Sequence, residues 1–296
     1  MKKSSIAMLL MLTSTLFISC TKNEEMLTEE EACITENYTI TLDKYIKKIK
    51  KTPTDWRGAI HTSEFTYNEF NLLANHNSYR SDYDNEHLFN YQCNNNVSEM
   101  YGTTYTYDAE DNITSVKTNT YSSYDLVYNG QKIHVKGRIY HDPDQEIILE
   151  LNSQNLVSKV SRMDSYSTFE YDLNGNLRTT KDFDLSGVLL NDYEITYDQN
   201  PNPFYGQLNS VYLAQFIELF YKSSSQGLQF LIIDGYDTFR FPYFKNNALN
   251  IKEKTNPSPY NLLFEREFTY DAQNYPTKIK FTYVGLHISD YEIEYN

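Results

Sequence analysis

Basic side chains are scarce in this sequence. Lys and Arg number 26 against 40 Asp and Glu in 296 residues, a formal net charge of −14. A field of that sign repels phosphate backbones and anionic lipid, which argues against nucleic acid as a partner. Glycine (10) and proline (8) are few beside 28 Tyr and 16 Phe, so collagen-like or disordered bulk is excluded. Cysteine occurs only at Cys20, Cys33 and Cys93, with no metal-type spacing. No apolar run reaches the length of a membrane-spanning helix. Also missing are H-E-x-x-H, a phosphate loop and G-x-S-x-G, and none of the six His forms a metal-type pair on a helix face. No cofactor is expected.

What is present begins with an address. The N-terminus reads "MKKSSIAMLLMLTSTLFISCTKNEE": two lysines, an apolar stretch over residues 6–18, and Ser19 before Cys20. This is the pattern of an export signal, too short to span a bilayer and outside the fold. "FISC" resembles a bacterial lipobox, which implies that Cys20 is diacylated and becomes the first mature residue. Phe17 stands where Leu is commonest. The alternative is an ordinary signal peptide with an incidental Cys. Two acyl chains would hold the protein at a membrane, each buried methylene contributing about 0.8 kcal/mol. The acidic "TKNEEMLTEEEACITEN" that follows has no apolar periodicity and reads as a solvated tether. "KNEE" at residues 22–25 looks like the signal that sends some Gram-negative lipoproteins to the outer face of the outer membrane, or is plain acidic linker. The expected division is a signal peptide over 1–19, tether and linker over 20–55, and one domain over 56–296. The expected location is the outer membrane, lipid-anchored, on its periplasmic or surface face.

That domain rewrites one short phrase. "FEYDLNGNL" (169–177), "YTYDAEDNI" (105–113), "FTYDAQNYP" (268–276) and "FDLSGVL" (183–189) align on their Asp; weaker copies are "YNEFNLL", "YQCNNNV" and "LNSQNLV". Three residues after the Asp slot stands Gly, Asn or Asp, as at Gly175, Asp111, Asn274 and Gly187. Those residues reach positive φ most cheaply. The pattern fits a type I turn closed by a G1 bulge. It sets Tyr171 opposite Leu177, Tyr107 opposite Ile113 and Phe183 opposite Leu189, with Thr106, Glu170 and Thr269 on the other face. "LVYNGQKIHV" adds a two-residue turn at Asn129-Gly130. At the C-terminus Tyr291, Ile293 and Tyr295 share one face, and Glu292 and Glu294 the other. The expectation is all-β: a long antiparallel meander of tandem hairpins, curled or closed into a barrel-like sheet.

One copy breaks the pattern. "ITYDQNPNPFYG" places Pro201 where positive φ is needed, so the strand should end near Tyr197 in an irregular loop. "LNSVYLAQFIELFYKSSSQG" then spaces Leu208, Val211, Phe216, Leu219 and Phe220 as a helix capped by Asn209 or Ser210. Being almost wholly apolar, it must be buried against the sheet or plug one end. "LQFLIIDGYDTFRFPYF" should return to strand.

Two resemblances follow. The "Y-x-Y-D-x-x-G-x-L" copies look like degenerate YD repeats of Rhs-type shells. The lipobox at Cys20, the tandem hairpins, "ITYDQNPNPF" leading to the helix, and "FTYDAQNYPTKIKFTY" together resemble Gram-negative surface lipoproteins with a domain of unknown function described as a porin-like β fold. That likeness covers about residues 56–296. It implies a fold and brings no catalytic residues.

Chemistry is sparse. "YHDPDQE" gathers His141, Asp142 and Asp144, which could hold a hard cation, but it lacks an EF-hand's spacing and a solvated turn explains it. Asp182 and Asp184 sit together in a hairpin rather than opposed across a cleft. Cys33 and Cys93 could pair in an oxidising periplasm, although the spacing does not require it. The Tyr excess fits packing of half-buried strands or a platform for sugar rings. The reading is a non-catalytic, membrane-anchored β domain that binds a glycan or protein. The alternative is an envelope hydrolase whose site is assembled from distant residues. A membrane-spanning barrel is disfavoured by charges on the alternating faces.

Overall fold

The computed structural model describes residues 42–54, 59–80, 83–118, 121–228, 242–255, 262–283 and 285–296. Among them eighteen strands form one antiparallel sheet. The first nine are β1 (Ile46–Pro53), β2 (His61–Tyr67), β3 (Leu73–Arg80), β4 (Tyr83–Tyr91), β5 (Val97–Met100), β6 (Thr103–Tyr107), β7 (Ile113–Thr118), β8 (Ser123–Asn129) and β9 (Lys132–Ile139). Next come β10 (Asp142–Leu151), β11 (Val157–Ser161), β12 (Ser165–Tyr171), β13 (Leu177–Asp184) and β14 (Leu189–Pro201). The last four are β15 (Asn246–Glu253), β16 (Leu262–Tyr270), β17 (Pro276–Tyr283) and β18 (Leu286–Tyr295). Each pairs with its neighbours in sequence, and β1 pairs with both β2 and β18. The meander is therefore a closed barrel, which removes the sheet edges.

The repeated phrase makes turns, most of them at one end of the barrel; the copy carrying Gly187 joins β13 to β14 at the other end. Asp111, Asn274, Gly175 and Gly187 take φ of 64°, 65°, 82° and 83°. The Asp slot works through its side chain: Asp172 accepts the backbone N–H groups of Asn174 and Asn176, and Asp108 those of Glu110 and Asn112. This is an Asx turn, which satisfies backbone donors that the bulge leaves over. Tyr171 faces Leu177, Tyr107 faces Ile113 and Phe183 faces Leu189, with a register shift at each pair.

At most turns of the Asp-turn end the Tyr before the turn also bonds across to the previous hairpin, whereas Tyr270 donates to the Asp198 carboxylate. Tyr91 donates its hydroxyl to the Leu73 carbonyl, Tyr107 to Val97, Tyr128 to Ile113, Tyr171 to Val157, Tyr197 to Leu177 and Tyr295 to Pro276. In each case the acceptor is the first strand residue after the preceding turn of this end. The phenol closes a carbonyl that the bulge would strand in the apolar interior, a group whose desolvation costs about 1–3 kcal/mol when unpaired. Six of the 28 Tyr are spent on these ties.

Inward positions hold the apolar core, such as Phe65, Phe89, Val135, Leu149, Phe169, Ile195 and Ile293. Outward positions are charged on most strands, and pairs such as Lys48–Glu64, Lys159–Glu150 and Lys280–Glu267 lie on that surface. A charged side chain on the lipid face of a barrel costs about 2–4 kcal/mol at the bilayer midplane. This wall is built to face water, with its apolar side turned in.

A helix fills the interior. A 3-10 turn (Asn209–Val211) leads into α1 (Tyr212–Phe220). Its start lies near the Asp-turn end, where the Tyr212 hydroxyl accepts the Val157 N–H. Its far end reaches the opposite mouth, where Arg162 donates to the Phe220 and Tyr221 carbonyls. Burial lowers the Arg162 guanidinium to a pKa of about 10. Phe216 and Phe220 pack edge-on against Phe169, at centroid distances of 4.9 and 5.2 Å.

Several local expectations are corrected. Residues 46–53 belong to the barrel as β1 rather than to a linker: the strand follows bulged "IKKIKK", which masks alternation. β14 does not end at Tyr197 but runs through a register shift to Pro201, its last residue, where a missing N–H costs no interior ladder bond. The two-residue turn after β8 is Gly130-Gln131, since Asn129 still pairs with Lys132 and only Gly130 has positive φ. Neither Asn209 nor Ser210 caps the helix: Val211 holds the cap position, and the Ser210 hydroxyl accepts the Val97 N–H. Most of "LQFLIIDGYDTFRFPYF" lies outside the described residues, as do residues 1–41.

Candidate functional site

At the mouth opposite the Asp turns, α1 and the β2–β9 wall enclose a cavity of about 440 Å³. That size suits a small organic ligand. Its lining comes from three sources that fold for different local reasons.

The first is a row of imidazoles. His76 on β3 pairs in register with Phe65 on β2 and His87 on β4, so three rings stand side by side on the inner face. His76 stacks on Phe65 at 4.9 Å and lies 5.8 Å from the His87 ring. Its Nδ1 is 3.0 Å from the Tyr101 hydroxyl, and His61 Nε2 is 2.6 Å from Ser78 Oγ. Burial, then the neighbouring His87 and His61, push His76 down to a pKa of about 3. Burial lowers His87 as well. At neutral pH both rings are uncharged, each with one donor and one acceptor nitrogen.

The second is an aromatic rim. Met100 pairs with Thr103 and Ile139 with Asp142, leaving the two-residue loops Tyr101-Gly102 and Tyr140-His141. Their φ angles are 53° and 71°, and 47° and 74°. Such loops ordinarily use Asn-Gly. Among the described residues, every other positive φ belongs to Gly, Asn or Asp. Bulky residues held there cost on the order of 1–3 kcal/mol each. Tyr101, Tyr121 and Tyr140 are 38%, 51% and 44% exposed. The Tyr121 and Tyr140 rings stack at 6.5 Å, and His141 meets Tyr121 edge-on at 4.5 Å. The loops are stapled together: His141 N–H donates to the Tyr121 carbonyl and Tyr140 N–H to Ser122 Oγ.

The third is the polar face of the helix. Gln215 and Glu218, three apart in an otherwise apolar segment, both line the cavity beside Leu219. Tyr243 donates to Gln215 Oε1 at 2.6 Å, fixing that amide. The Tyr105 and Tyr124 phenols are raised well above their ordinary pKa, chiefly by burial and then by the Glu218 carboxylate.

The residues singled out in the sequence fall elsewhere. Gly175, Gly187, Asp111 and Asn274 are turn residues, and of these Gly187 belongs to the hairpin at the mouth end. The His141–Asp144 loop does not gather into a cation cage. Asp142 is taken by Lys222 and the Tyr221 hydroxyl, each at 2.7 Å, which also lower its pKa. Among the described residues no group of three His, Cys, Asp or Glu could hold a metal ion. Asp182 accepts the Ser224 N–H and Ser167 hydroxyl inside the barrel, while Asp184 holds a turn. Cys93 is disulfide-bonded, with its partner outside the described residues. The sequence reading missed His61, His76, His87, Tyr101, Tyr140 and Glu218. Two signals were available: Tyr in two-residue loops, and a polar pair at i, i+3 within an apolar helix.

No protein-family model matches the chain, and no curated protein matches it. Among solved structures it is similar to a porin-like protein from Bacteroides vulgatus ATCC 8482, at 13% identity and a TM-score of 0.38, covering 86% of this chain and 99% of that one. It is also similar to a porin-like protein from Bacteroides uniformis ATCC 8492, at 9% identity and a TM-score of 0.34, covering 85% and 98%. A third likeness, the Photorhabdus luminescens Tc holotoxin pore, reaches a TM-score of 0.23 at 9% identity over 47% of this chain and 10% of that one. At these values they bring no residue, ligand or activity to this chain.

Proposed function

We propose that this protein is a non-catalytic, lipid-anchored envelope barrel that binds a small ligand in the mouth opposite its Asp turns. The observation that carries the reading is the placement of Tyr101, Tyr140 and His141 in left-handed backbone at that mouth. Strain concentrated where a cavity opens supports function, because Asn or Gly would fold there at lower cost. A charged outer wall and apolar interior support a container rather than a channel through lipid.

The test separates binding from folding. Tyr140→Asn should leave the melting temperature unchanged or slightly higher, since Asn suits positive φ. It should lower the thermal shift that a panel of sugars, amines and amino acids induces in the full chain by at least tenfold in apparent affinity. An unchanged response would sink the mouth as the site. Turnover of a glycan or peptide, abolished by a single carboxylate or His substitution, would favour a hydrolase instead.

The anchor rests on the N-terminal sequence. Cys20→Ala is expected to leave the protein without labelled palmitate and to shift it from the membrane fraction to the soluble one. Label retained in the Ala variant would reject the anchor.

A further inference from the structure

The hairpin between β13 and β14 ends in a tip whose side chains no turn requires. Leu185, Val188, Leu189 and Leu190 are all exposed there, and Met163 in the neighbouring β11–β12 turn is 92% exposed. Register sets the two turns side by side, since Ser165 pairs with Asp184 and Tyr166 with Phe183. Three consecutive exposed apolar residues serve neither core nor solubility, and a cluster of them marks a contact surface.

The outer face below the tip is graded. Tyr166 and Phe183 stack there at 4.9 Å, each half-buried. Charges come next: Lys159, whose Nζ lies 4.8 Å from the Tyr166 ring centroid, pairs with Glu150. Lys181 faces Asp192 in register at the same depth. An apolar tip, an aromatic pair and then lysines is the order in which side chains partition from lipid to water.

We infer that this tip dips into the surface of a lipid bilayer and so brings the mouth end of the barrel to the membrane, a step that rests on the anchor at Cys20. Size and shape select lipid over protein. An ordinary protein interface takes about 20–30 residues a side, and this patch has five apolar side chains projecting from turns rather than lining a groove. A fluid lipid surface needs no shape complement, and binding to it grows with the apolar area buried. Asp164 and Asp184 at the base of the tip keep the insertion shallow. The Ser186 hydroxyl and Val188 N–H both donate to the Asp184 carboxylate, which holds it ionised.

The tether permits this pose although β1 begins at the Asp-turn end, where Ile46 pairs with Tyr295. The Cys93 disulfide leaves an anchored chain at least the thirteen residues from Cys20 to Cys33 as a leash. Extended, that leash reaches about 45 Å. The eight residues of β13 rise only about 27 Å. A tip this small does not hold a protein at a membrane without a second signal, so the unacylated chain still leaves the membrane fraction.

The experiment places a reporter at each end. Val188→Trp and Leu173→Trp, both at exposed turn positions, are made in the full chain and mixed with phosphatidylcholine vesicles whose acyl chains carry bromine, a contact quencher. Trp56, the single natural tryptophan, is common to both proteins. Val188→Trp is expected to be quenched about twofold or more beyond Leu173→Trp, with a blue shift that the Leu173 variant lacks. Adding Leu185→Ser and Leu190→Ser should remove that excess without lowering the melting temperature, because both side chains are exposed. Phosphatidylglycerol in place of phosphatidylcholine should weaken the contact at low salt, since a net charge of −14 repels it. Equal quenching at the two ends, or no quenching at Val188, overturns the inference. A lipid-free dimer that Leu190→Ser dissolves assigns the tip to a second copy and overturns it too. Palmitate labelling reads the anchor separately, so failure of the anchor and failure of the tip give different results.

Discussion

Phe216→Ala is expected to destabilise the protein by about 3–5 kcal/mol in a urea melt, the usual range for emptying a buried aromatic site. Phe216 is fully buried, with its ring 4.9 Å from Phe169 and 4.6 Å from Phe220. The helix that carries it has little else to hold it together. It is nine residues long, has no side-chain hydrogen bond at its N-cap and no acidic residue in its first turn. Isolated helices of that length are marginal in water, so burial inside the barrel must supply its stability. Leu173→Ala is the control: that side chain is 101% exposed at a turn tip, and its loss should change stability by no more than about 0.5 kcal/mol. Equal effects at the two positions would mean that the helix is not packed in the interior.

Acid should unfold the barrel in a window set by the cavity histidines. His76 titrates near 3 in the folded state against 6.5 ordinarily, because burial and two neighbouring imidazoles oppose its charge. The unfolded chain therefore binds a proton below pH 6.5 that the folded chain refuses until about pH 3. Stability is whole above pH 6.5 and falls as pH drops through that interval. The slope is about 1.4 kcal/mol per pH unit for one such group, up to about 5 kcal/mol across the window. His87, also lowered by burial, steepens the upper part. His76→Gln should remove one group's share of the slope between pH 6.5 and 4, read from urea melts at stepped pH. Parallel curves for the two proteins would reject the assignment. The turn carboxylates Asp108 and Asp184 act at lower pH, since hydrogen bonds from their own loops hold them below the ordinary range.

The hairpins were legible because their causes are local. A turn that needs positive φ three residues after an Asx acceptor leaves a mark within seven residues, and period-2 alternation fixes which side faces in. Tyr171 opposite Leu177, the outward Glu170 and the buried Phe216 all follow from such short-range rules. Strand β1 was missed for a matching reason. "IKKIKKTP" carries a bulge, and two of its lysines reach outward to Glu64 and Glu292 on flanking strands that only the closed barrel brings beside it.

The amino-acid sequence by itself determined the turn chemistry, the register of the hairpins that carry the Asp phrase, the polarity of the two faces and the need to bury one apolar helix. Only the tertiary structure decided closure, because β1 and β18 lie some 240 positions apart and no local signal couples them. It also decided the site. His76 and His87 become neighbours through strand pairing, but Glu218 reaches them only when α1 threads the interior more than a hundred residues later. Tyr101 and Tyr140 sit in two-residue loops set by local pairing, but their common mouth exists only once the sheet curls. The hairpin is fixed by contacts a few residues long, whereas the cavity is the space left over after every hairpin and the helix have packed.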